Sequence, residues 1–165
     1  RPAEGLLLSR GLDGHVTASR GVLLGVTTAD CVPVYLLHQK SGTIGLVHAG
    51  WRGTRDGVLM AAVRKVCRIA GEGPWDLVMH CGVSICGSCY EVGPEVLSMF
   101  GGDAERGPGK LDLRAVLAGQ AQALGIERVT VSSWCTLHHE GSFHSHRGSG
   151  AGGGRMLAYL GRPRA

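Results

Sequence analysis

Aromatic residues are scarce in this sequence, 5% of 165 positions, and no block of like charge is long enough to form a basic or acidic arm. Single-strand nucleic-acid binders interleave stacking rings with basic side chains, so the scarcity argues against that class of partner. The excess of 17 Lys and Arg over 13 Asp and Glu, a formal charge of +4, suits a small anionic ligand better than a nucleic acid. No uncharged apolar run is long enough to span a bilayer, and residues 1–9 lack the layout of a signal peptide. A soluble, cytoplasmic protein with no membrane partner is expected. Nucleotide fingerprints are missing as well. The nearest, the glycine cluster at 148–154, precedes a strand pattern and lacks the Lys-Ser/Thr ending of a phosphate loop.

What is present is glycine, 28 residues, clustered at 101–109 and 148–154 without a period and therefore read as loops. Six cysteines make an even count, yet a chain of this size with 44% hydrophobic residues needs no covalent staples, so reduced thiols are expected. Cys86-Gly87-Ser88-Cys89, with His80 and Cys81 nearby, imitates half of a zinc knuckle. A structural zinc site usually takes two such pairs and no second one exists, so a metal or disulfide role is the lesser alternative for it. His138, His139, His144 and His146 read as a solvated loop over a cleft. The chain opens on Arg1 and Pro2 and runs straight into Leu6 to Leu8, which suggests a preceding segment.

Runs rich in β-branched residues and leucine at 22–28, 32–38, 43–48, 77–80, 129–132 and 156–160 predict strands. Two helices are predicted between them. One carries Val58, Leu59, Ala62, Val63, Val66, Ile69 and Ala70 and stops at Gly71; the other carries Leu113, Val116, Leu117, Ala121 and Leu124 between Asp112 as N-cap and Gly125 beyond its C-terminus. Each has one apolar stripe, so each should lie on a sheet. The expectation is an α+β (mixed α/β) fold: a mixed sheet with flanking helices, forming one domain over 1–165.

Chemistry concentrates at two strand ends, Thr28-Ala29-Asp30-Cys31-Val32-Pro33 and His48-Ala49-Gly50-Trp51-Arg52-Gly53. A turn centred on Gln39-Lys40 pairs Cys31 directly with His48, where Cβ atoms on one face lie about 4.5–5.5 Å apart. Such a pair can bind a metal or form a thiolate–imidazole couple; alternatively, Cys31 is a small buried hydrophobe and His48 a core imidazole. Position at strand ends beside glycine favours an exposed site. Arg52 is the candidate phosphate clamp, through its bidentate fork. Asp30 is a candidate acid/base or a partner that orients Cys31. Trp51 either stacks on a ligand or anchors packing, and Arg147 is the member of the histidine-rich loop suited to an anion.

Thr28 to Val34, His48 to Gly53, Cys89-Tyr90-Glu91-Val92-Gly93, Cys135-Thr136 and the stretch from Phe143 to Met156 together resemble the laccase-domain family, also called polyphenol-oxidase-like, purine nucleoside phosphorylase or peptidoglycan-editing factor. The resemblance covers nearly the whole chain. It implies a fold similar to a cytotoxic-necrotizing-factor-like Cys/His toxin and a zinc site of His, Cys and His. It also implies action on purine nucleosides with phosphate, with adenosine deamination and methylthioadenosine phosphorolysis as further activities and copper-dependent phenol oxidation as an older label. Carried over by position, Cys31 and His48 are two zinc ligands; the third, a His in a Gln-Val-His-Gly-like segment, would precede Arg1. His15 follows that motif and is not promoted to ligand. Residues 82–93 become a loop beside the active site. Where the family has Phe-Phe-Ser-Tyr-Arg-Arg, this chain has Phe143-His144-Ser145-His146-Arg147-Gly148. Two rival readings use the same residues: a metal-free hydrolase or deamidase with Cys31 as nucleophile and His48 as base, and a non-catalytic small-molecule-binding protein.

Overall fold

The computed structural model describes residues 5–164; Arg1 and Pro2 lie outside them. In chain order the elements are β1 (Gly14–Thr17), β2 (Leu23–Thr28), β3 (Val32–His38), β4 (Ile44–Ala49), α1 (Trp51–Arg55), α2 (Val58–Ala70), β5 (Leu77–Cys81), β6 (Glu91–Val92), α3 (Pro94–Ser98), β7 (Gly109–Lys110), α4 (Leu113–Ala123), β8 (Arg128–Val131), α5 (His146–Ser149) and β9 (Met156–Gly161), with three short 3-10 turns. The main sheet has five strands in the order β1-β4-β3-β5-β8. Its pairs are antiparallel except β5 with β8, so the sheet is mixed. Strands β2 and β9 form a separate antiparallel ribbon, and β6 and β7 a short one. The fold is α+β with a mixed sheet and helices, as the strand and helix patterns predict.

Side-chain alternation explains the layering. In β3, Val32, Val34 and Leu36 are fully buried in the core shared with Leu59, Ala62, Val63 and Val66 of α2. The spacing of those α2 residues at i, i+3, i+4 and i+7 makes one stripe. Gly45 confirms the facing: a Cβ there would lie 3.2 Å from a Val66 methyl. Leu117 and Ala121 of α4 join the same core beside Leu77, Met79 and Ile126. Each fully buried Leu or Ile contributes about 1.5–3 kcal/mol. The opposite parity of β4, Ile44 and Leu46, packs with Leu24 and the partly buried Val22, Val26, Tyr35 and Leu160. The β2–β9 ribbon therefore covers the second face of the sheet. Gly71 closes α2 in the left-handed region (φ 71°) and its N–H donates to the Cys67 carbonyl. Asp112 caps α4, its carboxylate accepting from the N–H groups of Arg114 and Ala115.

The β3–β4 hairpin corrects the predicted register. Pro33, and not Cys31, stands opposite His48. Gln39-Lys40 is only half of the loop: His38 N–H donates to the Thr43 carbonyl and Gly42 N–H to the His38 carbonyl, leaving four residues between His38 and Thr43. The cause is the fully buried His38 ring, whose Nδ1 lies 3.1 Å from Ser41 Oγ and 3.3 Å from Ser41 N, inside the turn. Gly42, at φ 67°, lets the chain close around it. The shift is by an even number of residues, so Cys31 and His48 keep a common face.

All six cysteines are free thiols. No helix among the described residues is long and apolar enough to cross a membrane.

Candidate active site and a second thiol cluster

Chain geometry between β2 and β3 builds the site. Asp30 adopts φ 79°, alone among the described non-glycine residues in having a positive φ, a conformation Asp tolerates better than most side chains. This bend turns the chain from the ribbon into the sheet and delivers Cys31 to the start of β3. Across from it β4 ends, and Gly50 passes into α1. A Cβ at Gly50 would lie 3.1 Å from Cys31 Sγ and 3.7 Å from His48 Cε1, so thiol and imidazole flank one position that glycine leaves open. Asp13, just before β1, holds the imidazole: its carboxylate is 3.7 Å from His48 Nδ1, and its carbonyl accepts the His48 N–H at 2.6 Å. Burial first, then the neighbouring Asp30 carboxylate, pushes the Cys31 thiol up from its ordinary value, with Arg155 partly offsetting them.

Cys31 and His48 line a cleft of about 790 Å³ with Asp13, Asp30, Trp51, Arg52, Tyr90, His146 and Arg147. The cleft brings every sequence-predicted site residue together: Asp30, Cys31, His48, Trp51, Arg52 and Arg147. Their roles differ. Trp51 packs partly on the core and carries the Arg52 guanidinium 4.2 Å above its ring, so it serves as a platform for Arg52. Arg147 Nη1 donates to the Glu91 carbonyl at 2.7 Å, and its guanidinium lies 4.9 Å from the Tyr90 ring. Tyr90, 8% exposed, is a cleft residue the sequence reading left unassigned.

Asp30, 6% exposed, is a buried carboxylate with all its contacts made inside the protein. Its Oδ1 accepts from Thr136 Oγ1 at 2.5 Å and Ser145 Oγ at 2.8 Å, and its Oδ2 accepts the Arg147 N–H at 2.7 Å. Ser145 in turn caps α5, accepting the Gly148 N–H. One buried carboxylate thus ties the loop carrying Arg147 to the loop carrying Cys31. Charge-assisted hydrogen bonds of this kind are about twice as strong as neutral ones.

The expected place of His138 is corrected. It does not fold over the cleft: its ring meets the Cys86-Gly87-Ser88-Cys89 turn, with Nε2 3.0 Å from Cys89 Sγ. Cys135 joins them, so Cys86, Cys89, Cys135 and His138 form a group of donors all within 4.8 Å of one another, able to bind a metal. Among the described residues no other group of three or more such donors converges. The missing second CxxC pair is replaced by one Cys and one His three residues apart. Burial opposes the Cys86 thiolate, but hydrogen bonds from Ser88, Cys135 and Cys89 outweigh it and bring Cys86 down to about 6. Burial and the hydrogen bonds with Cys86 and Cys135 push Cys89 up to about 11.

The family model described as multi-copper polyphenol oxidoreductase laccase matches residues 3–163. The chain is similar to a protein named purine nucleoside phosphorylase YlmD from Geobacillus stearothermophilus, 36% identical over 165 residues that cover 92% of this chain and 60% of that one. It is also similar to adenosine deaminase RL5 from an unknown prokaryotic organism, 34% identical over 160 residues, 89% of this chain and 61% of that protein. The crystal structure of YlmD from Geobacillus stearothermophilus superposes with a TM-score of 0.88 at 34% identity, covering 93% of this chain and 62% of that one. The crystal structure of a Bacillus licheniformis protein titled YfiH gives a TM-score of 0.85 at 30% identity, covering 91% and 61%. The chain thus spans about three fifths of the length of these relatives. It belongs to the multi-copper polyphenol oxidoreductase laccase family.

Proposed function

We propose that this chain is the catalytic part of a purine nucleoside phosphorylase, which splits the glycosidic bond of a purine nucleoside with inorganic phosphate to give the free base and ribose 1-phosphate. The observation that carries the reading is the convergence, in one cleft of about 790 Å³, of the Cys31/His48 pair with two arginines, Arg52 and Arg147. That volume suits a small-molecule site. The names of relatives, purine nucleoside phosphorylase for one and adenosine deaminase for another, support the substrate class.

Phosphorolysis brings an anion beneath the ribose while positive charge grows on the sugar and negative charge on the leaving purine. Arg52, stacked on Trp51, presents a planar fork for two phosphate oxygens. Arg147 spends one N–H on the Glu91 carbonyl and keeps others for the anion. Asp30 acts as a positioning residue through the backbone of Arg147. Tyr90 and Trp51 supply apolar wall against which a purine excludes water.

Cys31 and His48 fit a zinc ion as two of its donors: a thiol and an imidazole flank the position that Gly50 leaves open. A catalytic zinc usually takes three protein ligands, and a third donor beside this pair is not found among the described residues. When bound, zinc would supply Lewis-acid polarisation of the substrate. One Cys and one His fall short of a multicopper ligand set, so copper oxidation is not part of the reading.

The test is product identification after incubating the zinc-supplemented protein with adenosine and phosphate. Adenine with ribose 1-phosphate is the expected outcome. Inosine alone would replace phosphorolysis with deamination, and no consumption of nucleoside by the protein would overturn the reading.

A further inference from the structure

We infer that Cys86, Cys89, Cys135 and His138 form a structural zinc site, separate from the cleft, that staples the loop bearing Tyr90 to the segment leading into Arg147. The donors come from two stretches of chain. Ser84 and Cys135 form an isolated parallel bridge that extends the β5–β8 pairing, and Thr136 N–H donates to the Ser84 carbonyl at 3.1 Å. This pairing sets Cys135 beside the Cys86–Cys89 turn, where Cys86 N–H donates to Cys135 Sγ at 3.3 Å. The turn itself is tight: the N–H groups of Cys89 and Tyr90 both donate to the Cys86 carbonyl at 3.0 Å. Gly87 permits it, since a Cβ there would lie 2.6 Å from that of Asp112, the α4 cap. His138 then swings its ring onto the thiols, Nε2 at 3.0 Å from Cys89 Sγ.

Spacing matches the ion. Zn–S bonds of about 2.3 Å in a tetrahedron place ligand atoms roughly 3.8 Å apart, and the four donor atoms here lie within 4.8 Å of one another. Three thiols and one imidazole are a closed structural set, with no position left for substrate. Binding converts each thiol to a thiolate and releases its proton to solvent, with no change of oxidation state. A redox disulfide is the less suitable use. The turn leads into strand β6 rather than opening a helix, and a disulfide of Cys86 with Cys89 would leave Cys135 and His138 without a purpose.

The surroundings hold the donors in place before any metal arrives. Arg114, nearly buried, donates through Nη1 to the carbonyls of Ser132 at 2.8 Å and Trp134 at 3.2 Å, fixing the approach to Cys135. His139 packs edge-on to Trp134 and its Nδ1 lies 3.0 Å from the Cys135 carbonyl. On one side of the cluster lies Tyr90, directly after Cys89; on the other the chain runs on to Ser145 and Arg147, whose guanidinium returns over the Tyr90 ring.

The experiment strips the protein with chelator under reducing conditions, reloads it with one equivalent of zinc or cobalt(II), desalts it and counts metal per chain. We expect one equivalent to be retained by the unmodified protein and by a Cys31→Ser/His48→Ala variant. The cobalt form should absorb as a tetrahedral site with three thiolates. Cys86→Ser/Cys89→Ser should lose the metal, whereas His138→Cys should keep it and add a fourth thiolate band, which a packing role for His138 would not produce. Should the cysteine variants misfold, the unmodified protein decides: zinc should shield Cys86, Cys89 and Cys135 from alkylation and leave Cys67 reactive. Absence of retained metal, retention by the Cys86→Ser/Cys89→Ser variant, a single-thiolate cobalt spectrum, or equal alkylation with and without zinc would each overturn the inference. None of these readouts is nucleoside turnover, so failure here and failure of the proposed phosphorolysis are distinguishable.

Discussion

The Arg147 N–H donates to Asp30 Oδ2 at 2.7 Å across 117 residues of chain, and through that bond one buried carboxylate sets where a cleft-lining arginine stands. Asp30→Asn keeps the shape and tolerates the left-handed backbone, yet removes the charge and turns an amide NH₂ toward groups that need an acceptor. We expect a loss of roughly 1.5–3 kcal/mol in denaturant unfolding, the usual worth of a hydrogen bond to a charged group. The KM for phosphate should rise more than that for nucleoside. An unchanged stability with unchanged KM would mean that the three donors find other partners.

Gly50→Ala tests the open position between Cys31 and His48. The backbone, φ −83° and ψ 174°, accepts alanine without strain, so unfolding should shift by less than about 1 kcal/mol for the poorer N-cap. The new methyl, however, would stand 3.1 Å from the Cys31 sulfur. Turnover should fall on the order of 10²-fold, the scale of a misplacement of about 1 Å at a reacting centre. A fully active Gly50→Ala protein would take the chemistry away from this pair.

Arg52→Lys keeps the charge and loses the fork and the stacking on Trp51. Steady-state kinetics with phosphate and nucleoside varied separately should show KM for phosphate raised about 10–100-fold, from the roughly 1.5–3 kcal/mol carried by a charged hydrogen bond. KM for nucleoside should change little. If both constants rise together, Arg52 supports the fold of α1 rather than the anion.

Much of this architecture is legible in the sequence because it rests on local periodicity. The bounds of β3 and α2, and the caps Asp112 and Gly71, follow from apolar spacing and from single residues whose backbone preferences are strong. The hairpin register is not, because it depends on a histidine, His38, that buries its ring inside the turn. β1 is four residues with partly exposed side chains and gives no alternation to read. The partners of Asp30 lie 106 to 117 residues away, and those of His138 about 50, so both sets appear only once β8 pairs with β5. The divergent loop is equally a matter of packing. A Cβ at Gly148 would collide with the Glu140 carboxylate, so an arginine at that position would displace Glu140 in this chain.

Cys31 reactivity separates a metal-ligand role from that of a free nucleophile. Alkylation needs the thiolate, and burial followed by the Asp30 carboxylate raises the Cys31 thiol above its ordinary value. In zinc-stripped protein at neutral pH, the Cys31 peptide should therefore label with iodoacetamide more slowly than free cysteine, and its rate should climb only as pH passes above the ordinary thiol range. Replacing Asp30 by Asn removes one of the two larger causes and should bring that rise to lower pH. Zinc in excess should suppress the residual labelling of Cys31 at neutral pH and above, since coordination converts the thiol to a bound thiolate. Mass spectrometry of the Cys31 peptide against time gives the rate directly. Rapid labelling of stripped protein at neutral pH would instead mark Cys31 as an activated nucleophile with His48 as its base, and nucleoside turnover would then have to survive complete removal of zinc.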